Sequence, residues 1–99
     1  MNKSGELKKI LSEYTQKFVT ICFDKRKNYQ RIRVYFFSKE PYLWRDGDIK
    51  QQIVDDIEAS FNATYIEIEN LTYGCPCGAH LEGFKLSQAV AVTFRLHSN

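Results

Sequence analysis

The sequence predicts an α+β domain in which two helices lie on one face of a four-stranded, mostly antiparallel sheet, in the order α-β-β-α-β-β. Three observations predict it: two apolar stripes with helical spacing, four segments that alternate apolar and polar residues, and polar turns between them. Two layers are the simplest way to bury every inward stripe, and they leave the second face of the sheet open. Residues 1–99 form one domain, because a chain of this length buries roughly two-thirds of its unfolded surface and has no residues left for a second core.

Ser4 is the expected N-cap of a short first helix, in which Leu7, Ile10, Leu11 and Tyr14 share a face at i, i+3, i+4 and i+7. Lys17–Asp24 alternates, with Val19, Ile21 and Phe23 on one side and Phe18, Thr20 and Cys22 on the other. Cys22 reads most simply as a small buried hydrophobe. Tyr29–Phe37 is the clearest strand, and Lys25-Arg26-Lys27-Asn28 reads as a tight polar turn that makes the pair a β-hairpin. Pro41 argues against continuing that strand, so Ser38–Gly47 is a loop. Asp48, with Gln51 three residues on, is the expected N-cap of the second helix. Its core stripe is Ile49, Ile53, Val54, Ile57 and Phe61; Asp55, Asp56 and Glu58 face water, and Asn62 is a candidate left-handed stop. Thr64–Thr72 alternates with Ile66 and Ile68 inward and Tyr65, Glu67 and Glu69 outward. Gly74–Gly83 is a loop. Phe84–Leu96 is a long final strand with Val90, Val92, Phe94 and Leu96 inward and Ala89, Ala91, Thr93, Arg95 and His97 outward.

Composition excludes several classes. With 43% hydrophobic and 26% charged residues, five Gly and two Pro, the chain is neither a disordered acidic tail nor a collagen-like or low-complexity segment. The longest apolar runs, Val34–Phe37 and Ala89–Val92, fall far short of the ~18 residues a membrane helix needs. The charged Met1–Lys9 stretch has no apolar signal-peptide centre, so the Asn-x-Thr sequons at Asn62 and Asn70 read as chance matches. Three cysteines, an odd number, suit a reducing compartment, and the expected location is the cytoplasm.

The net charge of +2 hides a partition: residues 21–45 sum to +5 and residues 46–72 to −6. If the alternation holds, Tyr29, Arg31, Arg33, Tyr35 and Phe37 project from the open face, and Lys25, Arg26 and Lys27 extend the basic patch at the hairpin tip. Aromatic and Arg side chains together are the composition of interface hot spots. Tyr42 and Trp44, in the loop Tyr42-Leu43-Trp44-Arg45, add a second anchor, unless Leu43 and Trp44 fold back as a lid on the core. The leading expectation is a small non-catalytic module (a regulator, inhibitor or assembly subunit) binding a protein partner or a second copy of itself. Its expected contact residues are Lys25, Arg26, Lys27, Tyr29, Arg31, Arg33, Tyr35, Tyr42 and Trp44. The alternative is single-stranded nucleic acid on the same face, with rings stacking on bases and Arg neutralising phosphate. Against both, Glu67 and Glu69 follow the same alternation on another strand and are placed to neutralise Arg31 and Arg33.

A third expectation comes from Gly74-Cys75-Pro76-Cys77-Gly78-Ala79-His80. Cys75, Cys77 and His80 are candidate Zn²⁺ ligands, with Cys22 or His97 as a conceivable fourth, or the two thiols are a redox pair. The spacing is not that of a Cys-x₂-Cys knuckle and no second pair exists, so a Gly/Pro turn competes with the metal and thiol readings, and the expectation is no cofactor. No nucleophile elbow, phosphate-binding glycine loop or paired catalytic carboxylates stand out, and no catalytic residue is assigned.

Overall fold

The apolar stripes of both helices and of all four strands meet in one core. In the computed structural model, which describes residues 3–71 and 86–97, the elements are α1 (Lys3–Leu11), β1 (Thr15–Lys25), β2 (Tyr29–Ser38), α2 (Gly47–Ser60), β3 (Ala63–Asn70) and β4 (Ala89–His97). The strands form a single antiparallel sheet in the order β1-β2-β4-β3. Leu7 and Leu11 of α1 and Ile53 and Ile57 of α2 pack with Ile32, Val34 and Phe36 of β2 and Val90, Val92, Phe94 and Leu96 of β4. These residues share one parity on each central strand, so both helices cover the same face and the fold is a two-layer α+β sandwich. Burying one such large side chain contributes roughly 1.5–3 kcal/mol. No helix among the described residues is long and apolar enough to cross a membrane.

Local chemistry moves several boundaries. Ser4 lies inside α1, which already includes Lys3, and is not its cap. The N-cap of α2 is Asp46 rather than Asp48: its carboxylate accepts from the Ile49 backbone N–H at 2.9 Å, while Asp48 sits in the first turn. Phe61 ends α2 in an extended conformation with its N–H donating to the Ile57 carbonyl, so Asn62 is not a left-handed stop. The last strand begins at Ala89, behind a 3₁₀ turn at Leu86–Gln88. The predicted loop at Gly74–Gly83 lies outside the described residues.

The alternation of β1 is broken by irregularities between Thr15 and Lys17 and between Phe18 and Thr20. One extra residue at Val19 turns Phe18 towards the core, opposite Phe36, and sends Val19 to the other face beside Tyr35. The expected sides of Phe18 and Val19 are thus reversed. Phe23 keeps the inward side, opposite Ile32, yet stays 41% exposed, because an edge strand has a neighbour on one side only. Cys22 is exposed rather than buried, on the edge strand opposite Arg33 and away from the helices.

Candidate functional site

Register fixes what the open face carries. Row by row from the hairpin end, Tyr29 lies opposite His97, Asp24 opposite Arg31 and Arg95 opposite Thr64; then come Cys22, Arg33, Thr93 and Glu67, and beyond them Thr20, Tyr35, Ala91 and Glu69. The centre of this face is closed. Tyr35 is 5% and Phe37 6% exposed, and Ala91 is fully buried, with Val19 and Leu71 packed beside Tyr35 and Ala91.

Arg33 is used within the sheet. Its guanidinium donates to Glu69 Oε1 at 2.6 Å and to Thr93 Oγ1 at 3.1 Å, and it lies 5.1 Å over the Tyr35 ring. The predicted neutralisation by β3 therefore occurs for Arg33 and not for Arg31. Arg26 is bonded to Asp24 at 2.6 Å; Asp24, the neighbour of Arg31 across β1 and β2, lines a small concavity with it but forms no ion pair with it.

The hairpin end differs. Among the described residues neither Arg31 nor Arg95 has a carboxylate within ion-pair distance, although the two stand directly opposite each other on β2 and β4. Arg95 is sandwiched between two rings, 4.5 Å from the Tyr29 centroid and 4.6 Å from that of Tyr65. Tyr65 occupies a β-bulge between Thr64 and Glu67, in the left-handed region at φ 53°, and is 70% exposed. A non-glycine residue held there costs roughly 1–2 kcal/mol.

Two shallow concavities adjoin at this end. One, of about 260 Å³, is lined by Arg26, Tyr29, Arg31, Tyr65, Glu67, Thr93 and Arg95. The other, of about 360 Å³, is lined by Lys3, Lys25, Arg26, Lys27, Tyr29, Gln30, Leu96 and His97. They share Arg26 and Tyr29 and contain one carboxylate, Glu67, against six Lys and Arg side chains. Lys3 of α1 reaches the tip by donating from Nζ to Gln30 Oε1 at 2.9 Å, and Lys25 and Lys27 are exposed.

The structure brings Lys25, Arg26, Lys27, Tyr29 and Arg31 together and separates them from Tyr42 and Trp44. The Tyr42 N–H donates to the Ser87 carbonyl, just ahead of the first residue of β4, so that loop sits at the far end of β2, about 30 Å away. There Leu43 is buried and Trp44 packs on the core as a lid, with its indole N–H buried and unpartnered among the described residues. Tyr42 remains exposed, with Arg45 stacked against both rings.

Arg95, Tyr65, Lys3 and His97 join the site without having been expected in it. The outward parity of Arg95, His97 and Tyr65 is readable from alternation, but their place beside Arg31 depends on β4 lying next to β2. Cys75, Cys77 and His80 lie outside the described residues; among those described, no cluster of three or more metal-ligating side chains occurs. Comparison with protein-family models, curated proteins and solved structures finds no match.

Proposed function

We propose that this chain is a non-catalytic binding module whose hairpin end docks a polyanionic macromolecule. The observation that carries the reading is the pair Arg31 and Arg95, two directly opposed cations without a bonded carboxylate, in a cleft rimmed by further Lys residues. Like charges placed opposite each other destabilise a strand pair, and an anion seated between them relieves that cost. The burial of Tyr35 and Phe37 and the folding back of Trp44 support the same reading, because they remove apolar anchors from the remainder of the expected contact surface.

The test is binding to a labelled heparin oligosaccharide at low and near-physiological salt. Arg31→Gln with Arg95→Gln is expected to abolish binding while the far-ultraviolet spectrum and melting curve stay those of a folded protein. Arg33→Gln is the control: it breaks the contact to Glu69 and leaves binding nearly unchanged. Equal binding by the double variant and the wild type refutes the assignment.

A second reading, an acidic protein surface docked on the same end, draws on Phe23. Its ring is exposed on the neighbouring edge strand, on the helix-side face, so a partner that wraps this edge from the cleft meets an apolar anchor that a phosphate backbone does not use.

A further inference from the structure

We infer that the polyanion is single-stranded nucleic acid, with phosphates on Arg31 and Arg95 and bases on the Tyr29 and Tyr65 rings; this rests on the polyanion reading above. The cleft is lined mainly by cations and aromatic rings, with one carboxylate, Glu67, and the polar Gln30 and Thr93. Leu96 is its one aliphatic lining residue, and it is almost fully buried. An acidic peptide carries charge but needs apolar pockets for its anchors, and the cleft has none. Nucleic acid uses both features present: guanidinium groups for phosphate and ring faces for bases.

The geometry of Tyr65 strengthens this. A bulge holds a large aromatic residue in a backbone region unfavourable to it, and the ring ends mostly in solvent rather than in the core. What the conformation achieves is to set the ring over Arg95, opposite Tyr29. The result is a short tyrosine–arginine–tyrosine stack that a free base extends outwards. A guanidinium with rings on its faces bonds a phosphate oxygen through its edge N–H groups. Rings stack only on bases that are not already stacked inside a duplex, which selects single strands. The two concavities meet at Tyr29, so a strand crosses from the Lys3 and Lys27 side to the Tyr65 side over that ring.

Fluorescence anisotropy on the full chain with four probes tests it: a labelled thymidine oligonucleotide, the same strand made abasic, a duplex of equal length and a polyglutamate peptide. The thymidine strand is expected to bind most tightly, at least about fivefold better than the abasic strand, because each stacked base contributes ~1–3 kcal/mol. Tyr65→Gly should remove most of that margin while leaving abasic binding unchanged. Tyr65→Asn, which tolerates the same backbone, should do likewise. Equal binding of the thymidine and abasic strands, or tighter binding of the duplex, overturns the inference and leaves a charge-only site. Tightest binding of polyglutamate overturns it in favour of an acidic protein. If none of the probes binds and heparin does not either, the polyanion reading itself has failed.

Discussion

Among the described residues two non-glycines with positive φ lie towards opposite ends of the sheet, and both are tyrosines with an arginine over the ring. At Tyr65 strain and solvation act together: the left-handed backbone is costly and the ring recovers little by burial. Tyr65→Gly is therefore expected to leave the melting temperature unchanged or raise it, since glycine adopts this conformation freely. A melt measured beside the binding titration checks this, and a fall of several degrees would show that the ring is chiefly structural. Tyr14 gives a different kind of test. Burial first, then the negative charges of Asp56 and Glu13, push its phenol above the usual 10.0. The folded state thus holds that proton more tightly than the unfolded chain. The associated stability is complete below about pH 10 and is lost as pH rises through the raised value. Urea melts across the alkaline range should show a shallower loss of stability for Tyr14→Phe than for the wild type.

At the scale of elements, periodicity makes most of the fold legible and says little about where it slips. The α2 stripe of Ile53 and Ile57 and the inward parity of β2 and β4 are readable because each follows one regular period. The phase of β1 is not, because a bulge adds a residue without a sequence mark: Phe18 and Val19 both suit a strand, and only pairing with Phe36 and Tyr35 decides between them. Phe18→Ala should accordingly cost about 2–3 kcal/mol and Val19→Ala clearly less, the reverse of what strict alternation implies. The start of α2 is ambiguous for a similar reason, since Asp46 and Asp48 flank Gly47 and both side chains suit a cap. Asp46→Ala should lower stability by about 1 kcal/mol, against a few tenths for Asp48→Ala, as read from denaturant midpoints.

For the whole molecule, strand order decides both where the charge lies and what forms the site. The acidic stretch folds as the outer side of α2 and the edge strand β3, and among the described residues only Glu69 forms an ion pair with a basic residue of β2. The hairpin end keeps its positive field as a result. Half of the cleft is readable from β2 alone, in Tyr29 and Arg31. The other half, Arg95 and Tyr65, is contributed by strands more than thirty residues further along the chain, whose adjacency no local pattern encodes.

That order also sets the timetable of synthesis. The last of the four described strands to leave the ribosome is a central one, and β2 waits for it with one row of backbone groups unpaired, while α1 and then α2 are already available to cover Ile32, Val34 and Phe36. At 5–20 residues per second the interval from Ser38 to His97 is roughly 3–12 s. Throughout it the open edge of β2 is a template for pairing with another strand, which the helices on one face do not cover.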